Sequence, residues 1–137
     1  MRGRERRFVS QTETKVKIIL LVEDEPGIAK VCLRTLTGAG FQVDVAVNGE
    51  VALDMWGKKH YDLCISDIMT PGMNGIELFR RLEKEYHDAG KKFIFTTGNL
   101  LSNEIRSFLE DSGRPYLPKP FSPENLREIV NNFLAEN

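Results

Sequence analysis

Val16-Lys17-Ile18-Ile19-Leu20-Leu21-Val22-Glu23-Asp24-Glu25 is the stretch whose reading decides the fold. As far as Val22 it is almost unbroken Ile, Leu and Val. A strand with one wet face would alternate apolar and polar residues, so a continuous apolar run suits a strand covered on both faces. The run then stops at three consecutive acids. A central strand of a parallel sheet is expected, with its carboxyl end marked by Glu23 and Asp24.

Downstream, apolar runs of strand length alternate with longer stretches of helical period. Pro26 stands where a first helical turn tolerates proline, and Ile28, Val31, Cys32, Leu36 and Ala39 follow at helical spacing up to Gly40. Phe41, Val43, Val45 and Val47 alternate with more polar residues, as in an exposed or edge strand. Asn48-Gly49 turns the chain into a helix carrying Val51, Ala52, Met55 and Trp56. A third strand is expected over Tyr61 to Ser66, and a third helix opens at Gly75 through Ile76, Phe79, Leu82 and Tyr86. Lys92 to Thr97 reads as the fourth strand, and Leu101, Ile105, Phe108 and Leu109 as a fourth helical stripe. A short fifth strand near Tyr116 and Leu117 precedes a helix with Ser122 as cap and Pro123 at its first position. Its apolar residues are Leu126, Ile129, Val130, Phe133 and Leu134. Five βα units with right-handed crossovers make a doubly wound α/β sheet, all strands ending at one edge, where ligands bind.

Composition sets the frame for this reading. The 137 residues are enough for one domain, and 41% hydrophobic with 28% charged residues is the balance of a globular protein with a real interior. No stretch approaches the roughly 18 apolar residues that span a bilayer, and the amino terminus lacks the apolar run of a signal peptide, so a cytoplasmic location without membrane insertion is expected. Cys32 and Cys64 lie in apolar stretches without CxxC spacing, which points to core residues rather than a disulfide or metal knuckle. Residues 1–15 read as a basic flexible arm or linker and 16–137 as the folded domain. Over residues 1–17, Arg2, Arg4, Arg6, Arg7, Lys15 and Lys17 face only Glu5 and Glu13. The arm is given no function, and no direct nucleic-acid binding is expected. His60 and His87 read as surface residues, and Trp56 and the phenylalanines as core.

The strand ends carry the chemistry. Glu23 and Asp24 follow the first strand, Asp67 the third, Thr97 the fourth and Lys119 the fifth. One crevice would thus collect three carboxylates, a hydroxyl and an ammonium. Crowded acids raise one another's pKa unless a cation sits among them. Oxygen ligands without His or Cys suit a hard ion, and Mg2+ in particular takes one or two carboxylates plus water and phosphate oxygens. A carboxylate beside such an ion and opposite a lysine is equipped to attack phosphorus.

These residues resemble the response-regulator receivers of two-component signalling, over about Lys17 to Leu134. The likeness rests on Leu21-Val22-Glu23-Asp24-Glu25, on Ser66-Asp67-Ile68-Met69-Thr70-Pro71-Gly72-Met73-Asn74-Gly75, on Thr97-Gly98 and on Tyr116-Leu117-Pro118-Lys119-Pro120-Phe121. It implies a flavodoxin-like (βα)5 fold with a parallel sheet in the order 2-1-3-4-5. It further implies Asp67 as phosphoacceptor, Asp24 as direct metal ligand, Glu23 as ligand through water and the Met69 backbone carbonyl as a further ligand of Mg2+. Lys119 would contact the phosphoryl group, and the Lys119-Pro120 bond is a candidate cis peptide. Thr97 and Tyr116 match the family's switch pair, acting on the face formed by the fourth helix, fifth strand and fifth helix. Met69 and Asn99 match positions that tune the lifetime of the phosphoryl group, and an apolar Met69 should position attacking water poorly.

Two positions depart from the pattern. Glu23 stands where many members carry Asp, though its longer arm still reaches a metal-bound water. Thr70 stands where Met or Leu is common, and its smaller polar side chain would loosen the loop rather than disturb chemistry. The partners implied are a histidine kinase or phosphotransfer protein, a downstream output protein or domain, and a second copy on phosphorylation. The chain reads either as a freestanding regulator or as the receiver segment of a hybrid histidine kinase, whose tails Gly113-Arg114-Pro115-Tyr116 resembles; the few residues after Leu134 leave no room for a DNA-binding module. Turnover of an outside substrate is not expected. The competing classes are an aspartyl-nucleophile Mg2+-dependent phosphatase and a receiver-like module that accepts no phosphate. The first would place a DxD motif on strand one, where Glu23-Asp24-Glu25 stands instead. The second is disfavoured by the presence of all five polar groups.

Overall fold

The computed structural model describes residues 15–136, so the arginines of the arm lie outside the described residues. Five parallel strands, β1 (Ile18–Val22), β2 (Gln42–Ala46), β3 (Leu63–Asp67), β4 (Phe93–Thr97) and β5 (Tyr116–Pro118), form one sheet in the order β2-β1-β3-β4-β5. Between and after them run α1 (Pro26–Gly38), α2 (Gly49–Trp56), α3 (Gly75–Glu85), α4 (Asn103–Ser112) and α5 (Pro123–Glu136). This is the flavodoxin-like order expected, and β1 is indeed central, with β2 on one side and β3 on the other.

The two-residue period of the strands divides the interior in two. Leu20 and Val22 of β1, Cys64 of β3 and Phe93 and Phe95 of β4 face α2, α3 and α4. Ile19, Leu21, Leu63, Ile65 and Ile94 face α1 and α5. On the first side Phe79 of α3 meets Phe93, Phe95 and Phe108 edge-on, with ring centroids 5.3, 5.7 and 5.5 Å away. Edge-to-face geometry adds to the area these rings remove from water. Cys32 and Cys64 are both free and buried, as expected, and Trp56 stacks on Tyr61 in the same core.

Helix starts follow local chemistry. Asn48, Asn74, Ser102 and Ser122 each accept a hydrogen bond from a backbone N–H of the following first turn. Asn74 and Glu77 bond reciprocally in a capping box. Several expected boundaries shift by one or two residues, β1 starting at Ile18 and β3 spanning Leu63–Asp67. Leu101 needs a larger correction. It is 93% exposed and precedes α4, because the Ser102 side chain caps Ile105 N–H and starts the helix after it. A 3₁₀ turn over Ala89–Lys92, entered through Asp88 at φ +70°, had no signal in the hydrophobic period. Among the described residues no helix is long and apolar enough to cross a membrane.

Candidate functional site

The carboxyl ends of β1, β3, β4 and β5 meet at one edge, where an open crevice is lined by Asp24, Glu25, Asp67, Met69, Gly98, Asn99 and Lys119. The Lys119 ammonium lies 2.9 Å from Glu23 Oε1 and 3.2 Å from Asp67 Oδ2. Register explains the meeting. Val22 pairs with Ser66, and Asp67 with Thr96, so the acids after β1 and at the end of β3 stand side by side. Lys119 N–H donates to Thr97 O at 2.8 Å, which carries the ladder one residue past β5 and brings the lysine to the same edge. The Lys119-Pro120 peptide bond is cis.

One oxygen from each of Glu23, Asp24 and Asp67 lies within 4.8 Å of the others. Their environments differ. Glu23 is buried, its Oε1 taken by Lys119 and its Oε2 by Glu25 N–H at 3.2 Å. Burial pushes its carboxyl above the ordinary 4.5, against the pull of Lys119 and the Glu25 N–H. Burial alone would lower the Lys119 pKa, yet the Glu23 and Asp67 carboxylates outweigh it and hold the ammonium above 10.5. Asp67 Oδ1 accepts Met69 N–H at 3.2 Å, which leaves Oδ2 toward Lys119. Gly75 permits this, since a Cβ there would lie 2.5 Å from Asp67 O.

The expected residues therefore divide. Asp24, Asp67, Lys119, Met69 and Asn99 line the crevice. Thr97 sits behind the wall, fully buried, its Oγ1 accepting Asn99 N–H at 3.1 Å. Tyr116 is not at the crevice: it is 43% exposed and borders a separate cavity with Arg114 and Phe133. Thr70 corrects the expectation of a loosened loop, because it is buried and its hydroxyl donates to Met73 O at 2.9 Å. Sequence reasoning missed Glu50, whose Oε2 accepts Met73 N–H at 3.0 Å. Its only signal was an acid in the first turn of α2.

Three oxygen donors with no His or Cys among them fit a hard divalent cation better than a soft one. Lys119 pairs with both Glu23 and Asp67, but of the three acids it is Asp24 and Asp67 that line the open crevice, which makes these two the candidate direct ligands.

Residues 19–131 match the response regulator receiver domain, and the chain belongs to that family. Over 119 residues it is 34% identical to the probable transcriptional regulator ycf29 of Pyropia yezoensis, covering 87% of this chain and 54% of that protein. It is also 35% identical over 120 residues to the sensor kinase CckA of Brucella abortus, covering 86% of this chain but 12% of the kinase. The chain thus spans about half the length, or less, of these curated relatives. Among solved structures, the response regulator TrrA of Thermotoga maritima, in complex with Mg2+-BeF, superposes with a TM-score of 0.74 at 35% identity, covering 86% and 99% of the two chains. Receiver domains typically bind Mg2+ at an acidic pocket, and Glu23, Asp24 and Asp67 form such a cluster here.

Proposed function

We propose that the chain accepts a phosphoryl group on Asp67 from a phosphohistidine donor and that a partner reads the resulting change of face. The observation that carries this is the position of Asp67, its Oδ2 3.2 Å from the Lys119 ammonium on the wall of an open acidic crevice. In the transfer, an Asp67 oxygen forms a bond to phosphorus as the phosphorus–nitrogen bond to the donor imidazole breaks, and the imidazole leaves with the electron pair. Lys119 faces the incoming phosphoryl oxygens, and the Thr97 hydroxyl bonds them once transferred. Asp24, Asp67 and the Met69 carbonyl would hold Mg2+, with Glu23 acting through water; the ion would neutralise charge on the equatorial oxygens.

A mostly apolar groove lined by Ile28, Val31, Pro120 and Phe121 opens beside Lys119, which supports delivery by a histidine kinase or phosphotransfer protein rather than by a small donor alone. Tyr116, exposed on the edge strand, would turn inward behind Thr97 and so alter the α4-β5-α5 face read by an output protein or a second copy. Met69 and Asn99 on the crevice wall would set how well water reaches the phosphoryl group.

Intact-mass analysis after incubation with Mg2+ and acetyl phosphate tests the proposal, with one added phosphoryl group on the parent and none on Asp67→Asn. Equal modification of both would refute it. A second reading, a receiver segment within a hybrid kinase, is favoured by the likeness to part of CckA. An in-frame kinase-coding region upstream of Lys15 would support it, and a stop codon there would refute it.

A further inference from the structure

We propose that Glu50, acting through Met73 and Thr70, is a positioning residue that fixes the Met69 carbonyl for the cation. This rests on the reading above, in which that carbonyl is a ligand. The loop from Ile68 to Asn74 joins β3 to α3. Its ends are held by Ile68 N–H on Thr96 O at 3.0 Å and by the Asn74 capping box. Between them, Met73 is clasped on both backbone groups by the start of α2. Its N–H donates to Glu50 Oε2 at 3.0 Å, and its carbonyl accepts Gly49 N–H at 3.2 Å.

The clasp reaches the site through one rigid unit. The Met69 carbonyl belongs to the peptide plane that ends at Thr70 N, so orienting Thr70 orients that carbonyl. Thr70 is 7% exposed and is anchored by its hydroxyl to the same Met73 carbonyl at 2.9 Å. Gly72, at φ +72°, packs so close that a Cβ there would lie 2.9 Å from Glu50 Oε2. Glu50 thus holds Met73, Met73 holds Thr70, and Thr70 sets the plane of the carbonyl. An acid in a first helical turn also favours the helix through the peptide dipoles. That effect depends on charge, whereas the clasp needs only an acceptor oxygen.

Titration calorimetry of Mg2+ into the full chain separates the two. Losing one hydrogen bond of ordinary strength should weaken Mg2+ binding by Glu50→Ala roughly two- to tenfold. Glu50→Gln, which keeps the acceptor and loses the charge, should stay within about twofold of the parent. Thr70→Val should fall with Glu50→Ala, and Thr70→Ser should stay with the parent. Exchange of the Met73 amide hydrogen should quicken in Glu50→Ala and not in Glu50→Gln. If Glu50→Gln weakens as much as Glu50→Ala, charge is the cause and the proposal falls. Parent-like binding by Glu50→Ala and Thr70→Val overturns it alone, whereas a parent that binds no Mg2+ overturns the cation reading and this proposal together.

Discussion

Lys119 Nζ and Glu23 Oε1, 96 positions apart in sequence, sit 2.9 Å apart in the structure, with 16% and 3% of their side chains exposed. The pair joins the end of β1 to the end of β5 across the intervening β3 and β4. It also neutralises the most deeply buried of the three clustered acids, leaving Asp24 and Asp67 on the crevice wall.

Removing the lysine strands Glu23 without its cation beside two further carboxylates. Breaking a buried pair costs about 3–5 kcal/mol, and Lys119 keeps some contact with water, so Lys119→Met should lose about 2–3 kcal/mol. Urea unfolding in metal-free buffer measures this. A change below about 0.5 kcal/mol, the usual range for surface substitutions, would mean that the pair is not formed in solution.

The aromatic cluster gives a prediction independent of chemistry. Phe79 meets three other rings and is 6% exposed, so Phe79→Ala should destabilise the fold by about 3–5 kcal/mol. Leu101→Ala should change stability by less than about 0.5 kcal/mol, because that side chain is 93% exposed. Comparable losses in the two variants would place Leu101 in the core after all.

A third prediction concerns acid. Asp44 accepts hydrogen bonds from Lys59 Nζ at 2.9 Å and Tyr61 Oη at 2.7 Å, and these, the lysine foremost, hold its carboxyl below the ordinary 3.8. A lowered folded-state pKa contributes stability that is complete above 3.8 and is lost as pH falls through the lower folded value. Asp44→Asn should therefore cost about 1–2 kcal/mol at neutral pH and lose less than the parent as pH falls from 3.8 through the folded value. Parallel unfolding curves against pH for the two proteins would contradict it.

Much of this architecture was legible because local and global signals agreed. The Ile18–Val22 run is apolar on both faces because β1 is central, and Ser122-Pro123 announces α5 because capping chemistry is local. Asp24, Asp67 and Lys119 could be placed together because parallel strands deliver their ends to one edge. Leu101 misled because helical spacing cannot tell a stripe residue from one just outside the cap, and only the Ser102 bond decides. Glu50 and Thr70 were opaque for another reason. Their partner Met73 is reached through its backbone, and a backbone partner leaves no mark on residue type.

The central claim is the covalent fate of Asp67. An acyl phosphate is reduced by borohydride, which converts the modified aspartate to homoserine. The chain should be treated with Mg2+ and acetyl phosphate, reduced, digested and mapped by tandem mass spectrometry. The account predicts homoserine at position 67 and nowhere else, and none without the phosphodonor. Homoserine at Asp24 or another acid, or a phosphorylated protein that yields none, would contradict it.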